Sequence, residues 1–507
     1  MKKHFFFSLV FAGIIGFQQT IAQSEKDSLF LDNYIRQAVE KYHSPGLAVG
    51  IIKNGKIVLA NGYGYRNTET GEKVDENTLF GIASCSKAFT AACIAILVDE
   101  EKLNWDDKLI DVYPEFQAFD PYITRELTIR DLLCHRAGYE TFDGDLIWYG
   151  TDYNREEVVH RMRYVENPYS LREKFGYSNV MYITAGEVIL AVTGQTWDEF
   201  LTENIFTPLS MNESTTTNST FTAKMNVAVP HIDSKPVEFI SYDNISSAGA
   251  INSSVSDMLK WEQLMLGKGI FGGDTIFSSA QYYTMVSPQT ILNAGKAEKV
   301  NGTHFSTYGL GWFLKDFNGM KIITHGGGLP GFHSKVTFVP EDSLAYVILG
   351  NQISYLVEAL DRKILDYYIG DNERDWAQLY LEAENASKAE DSIKTAKRHS
   401  DRVLNTSPSL EKEAYVGIYE DKSYGKASVE TFNGELVVTL LPTKELFNSP
   451  MEHWQYDTFR IKWKDQFLPE GFVTFNLDSK GQISYFTIEL ENPDFHFDKL
   501  KFEKLED

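Results

Sequence analysis

The sequence predicts two bodies in one chain: a mixed helix-and-strand (α+β) body over residues 23–370, and an all-β barrel or sandwich over residues 411–507. Three observations carry this. The chain has 507 residues, more than one hydrophobic core usually serves. Its first 370 residues mix strand-like runs with helical stretches, some of them apolar nearly all round. Residues 371–410 are instead rich in Ala, Lys, Glu, Asp and Ser, and short strands broken by turn residues come after them. Aromatic residues make up 13% and charged residues 23%, a globular rather than a disordered composition.

Residues 1–22 read as a secretory signal. Lys2, Lys3 and His4 are basic, Phe5 to Phe17 is almost wholly apolar, and Thr20-Ile21-Ala22 offers small residues for cleavage before Gln23. An apolar run of about 13 residues is too short to span a bilayer comfortably. No later run of 18 apolar residues occurs, so the mature chain is expected to be soluble, without stable membrane insertion, in the periplasm or the medium. Cleavage removes two lysines and no acid, moving the formal charge from −23 to −25. Such a charge repels nucleic acid and anionic lipid and otherwise favours solubility. Oligomeric state stays open.

The elements come in order. Residues 25–42 have helical spacing. Gly46 to Lys53 and Lys56 to Tyr63 are strand-like runs around Asn54-Gly55, a strong hairpin signal. Ala83 to Val98 is apolar nearly all round, as a buried helix is. Thr128, with Asp131 three residues on, predicts a capped helix that stops at Gly138. Met181 to Val192 reads as a second buried helix closed by Gly194, and Thr196 to Glu199 as a capping box. Residues 308–317, 320–325, 334–339 and 344–350 read as strands, and Tyr355 to Tyr368 as a closing helix. Residues 371–410 read as a solvated helical or extended linker. No repeat of fixed period is present.

Three short motifs carry the chemistry. Ser84-Cys85-Ser86-Lys87 opens the first buried helix, where free N–H groups and the helix dipole favour negative charge developing at the serine. A lysine buried beside it is pushed toward the neutral form and can accept a proton. Ser409 to Lys412 and Ser423 to Lys426 share the spacing but lie in or before the β-rich tail. Tyr177-Ser178-Asn179 leads into the second buried helix. Tyr177 can share the serine proton with Lys87 and later protonate a leaving group, and Asn179 can hold a substrate amide or Lys87. Tyr242-Asp243-Asn244 has the same spacing without that context. His325-Gly326-Gly327-Gly328 ends a strand-like run, and glycines there let a substrate backbone approach closely. An N–H from this segment, with that of Ser84, can form an oxyanion hole.

Other machines are absent from the sequence. It has no G-x-S-x-G, no H-E-x-x-H, no G-x-G-x-x-G opening a helix and no tight Cys/His cluster, so no cofactor and no metal is expected. Cys85, Cys93 and Cys134 do not make a disulfide framework. Cys85 and Cys93 on one helix stand about 12 Å apart, too far to bond, and all three read as small buried residues. Cys85 is a weaker candidate nucleophile, about 100° around the helix from Ser84.

Phe80 to Thr90, with these motifs, resembles the nucleophile segment of the serine β-lactamase-related family of class C β-lactamases, D,D-peptidases, D-aminopeptidases and esterases. Leu127 to Tyr139, Phe175 to Asn179, Pro208 to Met211, Ser247 to Trp261 and His325 to Phe332 resemble further family segments in the same order. The resemblance implies an antiparallel sheet flanked by helices, a helical lobe, and a serine at a helix N-terminus between them. It also implies an acyl-enzyme on Ser84, with Lys87 and Tyr177 moving protons. In that scheme Asn179, His325, Gly327 and Gly328 hold substrate or oxyanion. Residues 413–459 resemble a lipocalin-like C-terminal domain attached to many members. Penicillin-recognising members carry Lys-Thr-Gly where this chain has His325-Gly326-Gly327, so weak β-lactamase or D,D-carboxypeptidase activity is expected. The substrate class spans short esters, peptides with a D-residue and cell-wall fragments. Two alternatives stand beside the exported ester or amide hydrolase. One is a β-lactamase or D-amino-acid-specific peptidase. The other is a non-catalytic binding protein that keeps the fold.

Overall fold

In the computed structural model, which describes residues 26–506 apart from 27, 223 and 296–301, Asn54 and Gly55 both take positive φ (51° and 73°). They turn β1 (Gly46–Lys53) into β2 (Lys56–Asn67) as the sequence predicts. The expected signal segment lies outside the described residues. Four further strands complete the centre of a nine-stranded antiparallel sheet: β3 (Phe313–Phe317), β4 (Met320–Leu329), β5 (Phe332–Val339) and β6 (Leu344–Gly350). The order is Thr290–Leu292, Ser306–Tyr308, β3, β4, β5, β6, β1, β2, Glu72–Lys73.

Among the described residues, the longer helices that pack against this sheet or build the bodies around it are α1 (residues 28–41), α2 (Ser86–Asp99), α3 (Asn179–Thr193), α4 (Val255–Leu266), α5 (Leu356–Ile369) and α6 (Trp376–Ser400). Alternation along β1 sorts its side chains to two faces. Leu47, Val49 and Ile51 pack with α1 and α5, whereas Ala48 and Ile52 join the core that holds α2, α3 and α4. Gly50 has the closest approach: a Cβ there would lie 2.5 Å from Val255 and 2.9 Å from Leu259, so α4 lies flush on the sheet because this residue is glycine. Every residue of α2 from Ser86 to Leu97 is buried, which accounts for its all-round apolarity.

Several expected elements have different bounds. The helix capped by Thr128 has the predicted capping box with Asp131, yet it ends at Leu133, because His135 takes a left-handed backbone (φ 57°). The run 308–317 is two strands. Between them Gly311 (φ 78°) comes so close to α2 that a Cβ would meet Lys87 O and the Ala88 Cα at 2.9 Å. The strand expected to end at 325 instead runs through His325-Gly326-Gly327-Gly328 to Leu329, held in register by β5. Residues 371–410 hold α6, a 25-residue helix that packs on α5. Trp376 Nε1 donates to Asp366 Oδ2 (2.9 Å), and Arg398 pairs with Glu489 and Glu491 of the C-terminal domain, making the helix a strut between two bodies.

The C-terminal strands form one antiparallel nine-stranded sheet whose two edges, Asn448–Pro450 and Glu452–Gln455, are separated in sequence only by Met451. The result is a nearly closed barrel. It packs directly on the helical lobe: the Tyr149 ring lies tilted against that of Phe495 (centroids 4.3 Å apart) and its hydroxyl donates to Asp465 Oδ2 (2.8 Å). Tyr153 donates to Tyr424 O (2.9 Å), and Lys499 reaches Glu140 (2.6 Å) and Asp143 (2.5 Å). Gly150, at φ 63°, admits Leu446 of the barrel, which a Cβ would meet at 2.5 Å.

Candidate active site

Ser84 sits in a tight 3₁₀ turn (Ala83–Cys85) that feeds α2. Ala83 before it has φ 49°, a left-handed conformation that costs a non-glycine residue about 1–2 kcal/mol. The surroundings pin this turn. Gly327 of β4 lies so near that a Cβ would meet Ile82 O at 2.3 Å and the Ala83 Cβ at 2.9 Å. Gly327 therefore serves to bring the strand against the serine turn. Gly328, by contrast, has nothing within 4 Å of where a Cβ would stand, and it lines the cavity.

Lys87 is fully buried one turn on. Its Nζ lies 3.1 Å from Ser84 Oγ, 2.6 Å from Asn179 Oδ1 and 2.8 Å from Ala248 O. Burial drives its pKa down to about 7, against the field of Asp145. A neutral amine has two N–H bonds and one lone pair. The two carbonyl oxygens take the two N–H bonds, which leaves the lone pair aimed at the Ser84 hydroxyl. Asn179 is therefore a ligand of Lys87, one of the two roles its motif allowed. Its own Nδ2 donates to Asp145 Oδ2 (2.6 Å). Asp145 is buried, and burial raises its carboxyl to about 7.

Tyr177 is 8% exposed, and it lines the cavity beside Ser84, close enough for the serine to influence its hydroxyl. Burial raises its pKa well above the ordinary phenol value, so it keeps its proton at neutral pH and acts as a donor, leaving Lys87 as the base. Three contacts hold it. Its N–H donates to Thr141 Oγ1 (3.2 Å), its carbonyl accepts from Phe142 N–H (2.7 Å), and its ring lies 4.2 Å from that of His135. Gly176 just before it passes 1.8 Å, by its absent Cβ, from Tyr139 O; only glycine fits there.

His325 is also buried, and both ring nitrogens are engaged by the protein. Nδ1 lies 2.6 Å from Gly326 O and Nε2 lies 3.0 Å from the Tyr308 hydroxyl. Burial and the charge of Lys87 lower its pKa to about 3, so it is neutral and shapes the wall without a charge. β3 pairs with β4 only as far as Phe313↔Thr324, whereas β5 pairs with it out to Leu329↔Phe332. From His325 to Leu329 the other edge of β4 has no strand partner among the described residues. The Ser84 N–H has no backbone acceptor among them either. An open strand edge beside a free amide suits an extended substrate and a developing oxyanion.

These residues surround a cavity of about 570 Å³, which Ser84, Tyr177, Asn179, His325 and Gly328 line in part. Phe142, Phe175 and Phe313 give it an aromatic side. Phe467, Asp494 and Phe495 reach it from the barrel. Cys85 points away, with its Sγ 3.3 Å from Ser334 Oγ, and burial pushes its thiol up to about 12. All three cysteines are free and buried. Of the motif look-alikes, Ser409 bonds Asp457, Ser423 bonds Asp421 and Tyr242 packs near Trp148, all outside this cavity. Glu140, Asp143 and His496 come together as metal ligands can, but the Lys499 amine already bonds both carboxylates. Sequence reasoning missed Asp145 and the barrel residues. Asp145 sits in Asp143-Gly144-Asp145-Leu146-Ile147-Trp148, where an acid opening an apolar run was the available signal.

A sheet flanked by helices, with a serine, a buried lysine and a tyrosine at a helix N-terminus, defines a serine hydrolase class. Residues 31–367 match the Beta-lactamase family, and the chain belongs to that family. Residues 401–504 match a domain of unknown function, DUF3471. The chain is 26% identical over 427 residues to unguisins hydrolase ungD' of Aspergillus campestris, covering 78% of this chain and 76% of that protein. It is 27% identical over 349 residues to Protein flp of Staphylococcus aureus, covering 66% of each. The octameric penicillin-binding protein homologue from Pyrococcus abyssi has the same fold, with a TM-score of 0.61 at 21% identity over 94% of this chain and 99% of that one.

Proposed function

We propose that this protein is an exported serine hydrolase that cleaves an ester or amide through an acyl-enzyme on Ser84. The observation that carries the reading is the Lys87 amine, whose two N–H bonds are taken by Asn179 Oδ1 and Ala248 O while its third contact is Ser84 Oγ. Ser84 Oγ attacks the substrate carbonyl carbon, and its proton passes to the Lys87 lone pair. The oxyanion forms against the Ser84 N–H and the open edge at Gly327 and Gly328. Tyr177 donates its proton to the leaving oxygen or nitrogen and is reprotonated from Lys87. Water then attacks the acyl carbon, a proton returns to Ser84 Oγ, and the acid leaves.

The 26% identical relative named an unguisins hydrolase supports hydrolysis as the reaction. The basic start, the apolar run and the small residues before Gln23 support export to the periplasm or medium. His325, neutral and engaged at both ring nitrogens, stands where penicillin-recognising members carry a lysine, and this difference supports an ester or peptide over a β-lactam. The test is turnover of activated aryl esters by wild type and Ser84→Ala. Loss of turnover in the variant supports the reading. Equal turnover would overturn it, and activity lost instead on Cys85→Ala would move the nucleophile to the thiol.

A further inference from the structure

Asp145 is a buried acid that takes no step in the proposed reaction. It opens a helical turn (Asp145–Trp148) just after Gly144. Gly144 has φ 84°, and a Cβ there would meet Met162 Sδ at 2.7 Å, so a glycine lets the turn lie close. The turn is tied to the tyrosine segment. The Asp145 N–H donates to Phe142 O (3.1 Å), and the Phe142 N–H donates to Tyr177 O (2.7 Å). Asp145 is 2% exposed. Its Oδ2 accepts from Asn179 Nδ2 (2.6 Å), and Asn179 Oδ1 lies 2.6 Å from Lys87 Nζ. One line of contacts therefore runs from Asp145 through Asn179 and Lys87 to Ser84.

An amide side chain has nearly the same shape either way round, and its neighbours choose between oxygen and nitrogen. An ionised carboxylate accepts hydrogen bonds and cannot donate them. Asp145 draws the Asn179 NH2 to itself and so turns the Asn179 oxygen toward Lys87. The opposite orientation would set Asn179 Oδ1 against Asp145 Oδ2, two buried acceptors with no proton between them. It would also point an N–H at Lys87. Ala248 O takes one lysine N–H whichever way the amide lies, so Asn179 decides where the lone pair points. Facing an N–H, a neutral amine would spend its lone pair there and offer Ser84 a proton instead of a base.

Stability does not account for an acid at this place. Asp145 Oδ1 is buried and meets no donor with hydrogen-bond geometry among the described residues; the Trp148 indole in the same turn lends it a weaker interaction. A carboxylate taken out of water with one good partner is costly, and an apolar side chain of similar size costs less. Burial raises the carboxyl to about 7, the range in which Lys87 also gives up its proton. Above that range the two groups are an ionised acceptor and a neutral base.

We propose that Asp145 is a positioning residue: through one hydrogen bond it fixes the Asn179 amide with its oxygen toward Lys87, and so keeps the lysine lone pair on Ser84. This deepens the hydrolase reading and rests on it.

Hydrolysis of p-nitrophenyl butyrate by wild type, Asp145→Asn, Asp145→Leu, Asn179→Ala and the Asn179→Ala, Asp145→Leu double variant tests this. Each is assayed on the plateau of its own pH profile, beside circular dichroism. Asp145→Leu removes the acceptor and should lower kcat by about 30-fold or more, with KM within about threefold of wild type. Asp145→Asn keeps an acceptor oxygen without the charge and should retain kcat to within about fivefold. On the Asn179→Ala background there is no amide left to orient, so Asp145→Leu should add less than about threefold. Should Asp145→Leu fail to fold, Asp145→Ser takes its place, because a hydroxyl both donates and accepts and so does not choose the amide's orientation. Wild-type kcat in Asp145→Leu overturns the proposal. Equal losses in Asp145→Asn and Asp145→Leu overturn it too, since charge and not orientation would then be at work. So does a full further loss on the Asn179→Ala background. A folded wild type that hydrolyses no ester sinks the hydrolase reading and this one together; an active wild type with any of the three contrary results sinks this one alone.

Discussion

The hydrolase body and the barrel both face the cavity, but they bring different things to it. From the body come Ser84, Lys87 and Asn179, joined by hydrogen bonds through the lysine amine, and Tyr177, whose ring lies 4.8 Å from that amine. From the barrel come two aromatic rings, Phe467 and Phe495, and the carboxylate of Asp494. The body groups are fixed by short local devices: a strained residue at Ala83, a glycine at 176 that only fits without a side chain, and the close approach of β4 at Gly327. The barrel groups are fixed by packing of a whole domain through Tyr149, Asp465 and Lys499. Chemistry is thus set by a few close local contacts, and cavity shape by a broad interface.

Changes in the body should break the reaction, and changes in the barrel should alter its selectivity or its attachment. The largest effect belongs to Ser84→Ala, which should lower kcat by roughly 10³-fold or more with an unchanged thermal transition. Steady-state kinetics beside circular dichroism checks both halves. Lys87 comes next. With a neutral amine required and a pKa near 7, kcat/KM should rise with pH and level off above about 7. The negative field of Asp145 favours the charged amine, so Asp145→Asn should move that acid limb to lower pH; a pH–rate profile of each protein decides this.

In the barrel, Phe495→Ala should leave Ser84 reactive while changing kcat/KM for bulky acyl groups by about tenfold, and should cost about 3–5 kcal/mol of stability because the ring is 4% exposed and packs on Tyr149. Kinetics on short and branched aryl esters, with denaturant unfolding, measures the two. A selectivity unchanged from wild type would mean the barrel does not shape the site. The smallest effect is expected from Lys499→Ala, about 1–3 kcal/mol. Burial opposes the Asp143 charge, yet hydrogen bonds from His496 and Lys499 hold its pKa below the ordinary carboxylate value. A lowered carboxylate pKa contributes stability above its unfolded value and loses it as pH falls through the folded one. The gap between wild type and Lys499→Ala should therefore close in acid, which thermal unfolding at several pH values will read.

The unequal legibility of the two regions has the same origin. Ser84, Lys87 and Tyr177 are readable because their chemistry depends on residue types at fixed spacing beside buried helices. The hairpin at Asn54-Gly55 and the capping boxes at Thr128 and Thr196 are readable for the same local reason. The glycine run reads in sequence as the end of a strand and is in fact its continuation, because pairing with β5 holds residues that have weak strand preference of their own. The helix after Thr128 is shorter than its pattern predicts, since a left-handed turn at His135 is chosen by contacts with Ser178 and Tyr177 and not by its neighbours in sequence. Phe495 carries no local mark and is placed by the docking of a separate domain.

The most direct test of the central claim is intact mass after mixing the protein with a serine-directed fluorophosphonate, beside Ser84→Ala, with peptide mapping of any adduct. One adduct per wild-type chain, mapped to Ser84 and missing from the variant, is the predicted result. A folded wild-type protein that takes no adduct, or takes it equally without Ser84, would contradict the account.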